Sequence, residues 1–352
     1  MGRFVVGALV LSLGFAALGC GSDDEGGTQK TGGPTPPPEV ESCGLKTGWA
    51  GDEYCILPPP PDKGFQIHYG PANYDDPAEI EKYLIQPNMD TNIFVPAKSG
   101  NEQDVYFYKR QYRMRRGSHH LIVSAGGAGS FLGSGRRLGG SQNVTKDNPM
   151  GEMPPENVGI GMPLTALSDL TLNLHHFNPT SEALLREAWV NFWYVDPATV
   201  TQEANEIFLW AQGGTVQPGS RVTVKGKKTI AQDGRILTLY GHRHSNNVRF
   251  SAYLVRNGER EVILDDYDWA EPAVLEFNSK TTNVAPNPEA HTAGGHSGVL
   301  ELLVGDVLEW ECEIFNQHSE AITFGENEGG TSEMCILVGD AVGPKLTGIQ
   351  EF

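Results

Sequence analysis

The stretch ILTLYGHRHSNNVRF, residues 236–250, begins as an apolar strand and runs into two histidines one residue apart. Ile236, Thr238 and Tyr240 suit a pleated, half-buried surface. On such a strand residues i and i+2 point to one face, so His242 and His244 stand side by side. The following segments read as hairpins. VRFSAYLV (248–255) meets REVIL (260–264) across Asn257-Gly258, a dipeptide suited to a tight hairpin turn. VLELLV (299–304) and VLEWECEIF (307–315) flank Gly305-Asp306 and predict a second hairpin. In the latter run Leu308, Trp310, Cys312 and Ile314 alternate with Glu309, Glu311 and Glu313, which places Cys312 on the core side of a half-buried strand.

Upstream, residues 105–127 contain two β-prone runs, and residues 169–195 contain two more. The Gly- and Pro-rich segment between them, roughly 128–165, reads as a long loop. DPATVTQEANE (196–206) is polar and marks a boundary. The 43 glycines and 23 prolines favour short strands and turns over long helices. The expected fold is mainly β, with two antiparallel, jelly-roll-like β-sandwich domains in tandem at 43–203 and 204–345.

Residues 1–20 have Arg3, an apolar run from Phe4 to Leu18, and then Cys20, and they resemble a bacterial lipoprotein signal. Cleavage there would leave Cys20 lipidated, with residues 21–42 as a Gly- and Pro-rich tether. The expected location is the cell envelope, on the periplasmic or outer-membrane side, with the lipid as the sole membrane contact. A net charge of −18 without a basic patch excludes a nucleic-acid partner. The other four cysteines form two sequence-local pairs, and the simplest oxidised pairing is Cys43–Cys55 and Cys312–Cys335.

Six of the ten histidines sit in three doublets: His119-His120, His175-His176 and His242/His244. Each lies in or beside a strand-like apolar run, where a polar ring needs a partner. Three such pairs in an exported β protein point to metal. Adjacent residues on a regular strand face opposite ways, so His119-His120 calls for a strand end or a bulge, and Gly117-Ser118 before it would allow one. Met334 adds a soft thioether donor suited to Cu(I). With Cys335 tied to Cys312, Met334 faces away from that disulfide. A cupin-type use of the HxH pair lacks its acidic residue, because Ser245-Asn246-Asn247-Val248-Arg249 contains none.

GSHHLIV, LNLHHFNP, YGHRH and EMC occur in an order that resembles the copper type II, ascorbate-dependent monooxygenases, the family of peptidylglycine α-hydroxylating monooxygenase and dopamine β-monooxygenase. The resemblance spans about residues 64–344. It implies two coppers per chain, one in each sandwich domain, facing each other across a solvent-filled cleft. His119, His120 and one of His175 and His176 would hold the electron-relay copper. Alignment with the family's pattern makes that ligand His175 and puts His176 at an aromatic position. His242, His244 and Met334 would hold the catalytic copper. The implied reaction hydroxylates an activated C–H of a small substrate with O2 and a one-electron donor such as ascorbate. Two substrate positions depart from the peptide-amidating enzyme: Tyr240 stands where it has Arg, and Val338 where it has Tyr. Those departures leave open a non-enzymatic copper-binding or structural envelope lipoprotein.

Overall fold

The computed structural model describes residues 42–126, 135–151, 159–325 and 331–351. The targeting segment with Cys20, and the tether up to residue 41, lie outside the described residues. The longer strands of the N-terminal half are β1 (Gly64–Tyr69), β2 (Asp90–Lys98), β3 (Val105–Met114), β4 (Ser118–Ala125), β5 (Arg136–Ser141), β6 (Thr145–Pro149), β7 (Ile160–Leu164), β8 (Asp169–Phe177) and β9 (Ala188–Val195). Those of the C-terminal half are β10 (Gln202–Gln212), β11 (Arg221–Thr229), β12 (Gly234–Arg243), β13 (Asn247–Arg256), β14 (Glu259–Asp266), β15 (Val307–Phe315), β16 (Cys335–Val342) and β17 (Leu346–Glu351). The α-helix Pro77–Glu81 is a single turn, started by Asp76, whose carboxylate accepts from the Ala78 N–H at 3.0 Å. No helix among the described residues is long and apolar enough to cross a membrane.

The mainly β expectation holds, and two cores account for it. In the first half, the sheet β2-β8-β4-β5 buries Leu121, Val123, Leu172 and Leu174 against Phe107, Tyr112, Val190 and Phe192 of β3 and β9. In the second half, β10, β12 and β16 bury Leu209, Leu239 and Leu337 against Phe250, Leu308 and Trp310 of the sheet β11-β15-β13-β14. Alternation produces this, because every second residue of each strand turns inward. Both expected disulfides are present, Cys43–Cys55 under the first sandwich and Cys312–Cys335 inside the second core. Such bonds belong to an oxidising compartment.

The segment 196–206 contains the start of β10, which pairs in parallel with β7 through Gln202 and Glu203 and then antiparallel with β16. One strand thereby joins both halves in an 11-stranded sheet. A third apolar cluster lies on the other face of β10, β12 and β16. It comprises Phe208, Trp210, Tyr240, Met334, Ile336 and Val338, with Phe94 of β2 and Ile122 of β4 packed against it. The outward face of the first half's β2-β8-β4-β5 sheet is therefore covered by the second half.

Asn257 and Gly258 adopt φ of 53° and 84° and close the β13–β14 hairpin as predicted. The hairpin predicted at Gly305-Asp306 does not form. Leu300–Leu302 pairs with β12, whereas β15 pairs with β11 and β13, so the turn carries the chain between facing sheets. Asp306 drives this: its buried carboxylate accepts from the Leu303 N–H at 2.7 Å and from Arg256 Nε and Nη2 at 2.9 and 2.7 Å. The long loop expected at 128–165 is also corrected. Strands β5, β6 and β7 run through it, since Gly139 and Gly140 let β5 approach Arg110 and Leu121 closely.

Arg256's hydrogen bonds hold the Asp306 carboxyl below its ordinary value. A depressed carboxylate stabilises the fold above its unfolded pKa, near 4, and that contribution disappears as pH falls through the folded value. Asp306→Ala is expected to cost about 1–3 kcal/mol at neutral pH. The gap from wild type should narrow below about pH 4 in acid-dependent unfolding curves.

Candidate metal centre

Strand parity decides which histidines meet. On β8, Asn173 and His175 share the outward face, while Leu172, Leu174 and His176 turn toward the first core. His176 is fully buried there, neither ring nitrogen has a hydrogen-bond partner among the described residues, and burial, then Arg186, push its pKa well down. On β4 the pairing steps from Ser118 opposite His176 directly to His120 opposite His175. His119 is thus the extra residue of a β-bulge, which lets two consecutive histidines reach one site. Gly117, with φ of 85°, sets up that irregularity.

β12 brings His242 to the same region, and His244 follows one residue past its end. Gly241, just before His242, is required by packing, since a Cβ there would lie 2.3 Å from the Phe250 ring. The outward face of β4 and β8 meets the outward face of β12. The His119 ring centroid consequently lies 5.3 Å from His120, 5.2 Å from His175, 5.5 Å from His242 and 5.3 Å from His244. Ring nitrogens of His119, His120 and His242 all fall within 4.8 Å of one another.

Oxygen atoms orient three of these rings. His175 Nε2 donates to Asp90 Oδ1 at 2.6 Å, His120 Nε2 to Asn173 Oδ1 at 2.8 Å, and His244 Nδ1 to the Ser332 carbonyl at 3.3 Å. Each bond fixes the tautomer in which the opposite nitrogen carries the lone pair. Burial first, then neighbouring imidazoles, hold His120 and His242 well below the usual histidine value. Buried and carboxylate-poor, with His120 and His242 held neutral, the cluster fits a borderline or soft transition metal such as copper or zinc and does not suit magnesium or calcium. Met334 is fully buried on the His242 side of the sheet, beside Tyr240 and Ile336.

The resemblance implies two centres separated by a solvent-filled cleft, and the structure arranges the histidines otherwise. The two groups touch in one buried cluster, because Phe94 and Ile122 seat the first half's sheet on the apolar face around Tyr240 and Val338. Tyr240 and Val338, with Glu206 and Arg137, line a cavity of ≈10 Å³ next to His120 and His242. That volume holds about one water. A larger cavity of ≈300 Å³ shares Arg137 and Glu206 with it, and its lining includes Arg136, Met162, Asn205 and Lys345. Burial pushes the Glu206 carboxyl up to about 8, against the pull of Arg137 and Arg110.

Asn173, Asp90 and Glu333 support the site and were not singled out from the sequence. Asn173 carries a readable signal, standing two residues before His175 and hence on its face. Asp90 carries none, being 85 residues distant from the ring that it orients. Of the other histidines, His68 donates to Glu187 Oε1 at 2.7 Å and His296 to Glu261 Oε1 at 2.6 Å, both away from the cluster.

No family model and no curated protein matches the chain. Among solved structures, the STIV MCP aligns at 9% identity over 74% of this chain and 96% of that one, with a TM-score of 0.33. The major capsid protein P2 from bacteriophage PM2 aligns at 9% identity over 81% and 100%, with a TM-score of 0.29. Likenesses this distant bear on neither the detailed topology nor the function.

Proposed function

We propose that the chain is a copper-dependent monooxygenase of the bacterial cell envelope, anchored through lipidated Cys20. It would hydroxylate an activated C–H of a small substrate with O2 and a one-electron donor such as ascorbate. His119, His120, His175, His242, His244 and Met334 form the donor set for two coppers. The observation that carries this reading is the convergence of five imidazoles, drawn from three distant segments, around His119. Copper bound there would supply O2 activation and one-electron chemistry. The chain's part is to keep His120 and His242 neutral, to orient the rings through Asp90, Asn173 and Ser332, and to exclude bulk water by burial. Substrate would approach through the cavity bounded by Arg137 and Glu206.

The test is O2 consumption by signal-free, copper-loaded protein with ascorbate, across a panel of small amines, carboxylates and neutral aromatics. Substrate-dependent consumption that His242→Ala abolishes is the expected result. The ≈10 Å³ cavity beside His242 favours a second reading, copper binding without hydroxylation. Tight copper with no substrate-dependent consumption anywhere in the panel would support that reading instead.

A further inference from the structure

Glu333 is a fully buried carboxylate at the point where the β12–β16 ladder stops. The last paired residues are Arg243 and Cys335, so the next residue on each strand, His244 and Met334, has no ladder partner for its backbone. Glu333 takes the ladder's place. Its Oε1 accepts from the His244 N–H at 2.7 Å and from the Met334 N–H at 2.9 Å, and its Oε2 accepts from the Asn246 N–H at 3.2 Å. The preceding residue, Ser332, accepts from the His244 ring through its carbonyl. One side chain and its neighbour thus hold His244 by backbone and ring, and the same oxygen holds Met334.

A strand end that needed only satisfied amides would find water or a neutral side chain cheaper, because a buried carboxylate carries a desolvation cost of several kcal/mol. What the carboxylate adds is a rigid two-acceptor fork tying two specific backbones together. We infer that Glu333 is a positioning residue that fixes the Met334 thioether relative to the His244 imidazole. Both its oxygens are engaged by backbone N–H groups, so it acts through His244 and Met334. This rests on the copper reading above, in which both residues are donors. A thioether favours reduced copper, so a positioned Met334 would set the balance between Cu(I) and Cu(II) at its site.

The test uses the signal-free protein loaded with copper alone. Cu(I) and Cu(II) affinities are measured by chelator competition, and X-ray absorption of the reduced form reports sulfur beside the metal. Glu333→Gln turns one acceptor oxygen into a donor that opposes the Asn246 N–H; Glu333→Asp keeps the charge and shortens the reach, so it should still fold if Glu333→Gln does not. In each folded variant, bound copper is expected to stay at the wild-type ratio. The sulfur contribution should fall, and Cu(I) affinity should drop about 10- to 100-fold, with Cu(II) affinity changing less. Folded variants that keep wild-type sulfur scattering and Cu(I) affinity would overturn the inference and leave the copper reading standing. Wild-type protein with imidazole-bound copper but no sulfur contribution would also overturn it. Wild-type protein that binds no copper would overturn both.

Discussion

Replacing His119 by Ala is expected to lower copper affinity by more than about 100-fold and to abolish ascorbate-dependent turnover. The scale follows from metal sites in general, where losing a partner that only orients a ligand costs about 10- to 100-fold. His119 is the ring common to both groups of histidines, lying 5.2–5.5 Å from each of the other four. The bulge that delivers it keeps its backbone when the ring is cut to a methyl, so the fold should survive. His176→Phe is the control: its ring faces the first core, and removing its unsatisfied nitrogens should leave copper binding unchanged. Chelator competition on both variants measures the contrast. A variant in which His176 matters and His119 does not would reverse the assignment.

The largest effect on stability is expected at Asp340. This residue of β16 has a side chain 1% exposed and pairs with Arg110 of β3, which is 0% exposed. It also accepts from Thr238 Oγ1 at 3.0 Å and Asn148 Nδ2 at 3.3 Å. The pair joins the two halves of the chain. Asp340→Ala would leave a guanidinium buried without its counterion, a change that costs about 3–5 kcal/mol. The double variant Arg110→Met/Asp340→Leu should recover most of that loss, since removing both charges also removes their desolvation cost. Denaturant unfolding followed by tryptophan fluorescence measures both. A single variant within about 1 kcal/mol of wild type would show that water reaches the pair.

Much of the fold was legible because its signals are local. Asn257-Gly258 closes a hairpin whatever surrounds it, and the alternation of Leu308, Trp310, Cys312 and Ile314 states which face is buried. The bulge at His119 was legible from steric parity, since two neighbouring histidines cannot otherwise face one site. Gly305-Asp306 misled because apolar runs on either side of a turn look alike whether the chain folds back or crosses over. The buried Asp306 carboxylate and its partner Arg256, 50 residues away in sequence, make that choice. The glycines of β5 hid a strand by resembling a loop. Likewise, the meeting of the two histidine groups depends on sheets stacking through Phe94, Ile122, Tyr240 and Val338, contacts that no single segment encodes.

Whether these imidazoles hold copper is decided by metal content together with ligand identity. Signal-free, oxidised protein would be loaded with copper, cleared of excess in the presence of competing zinc, and analysed for metal per chain and by X-ray absorption. Two coppers per chain are expected, coordinated mainly by imidazole nitrogen, with His119→Ala losing at least one. Zinc retained in preference to copper, or no tightly held metal, would contradict this expectation.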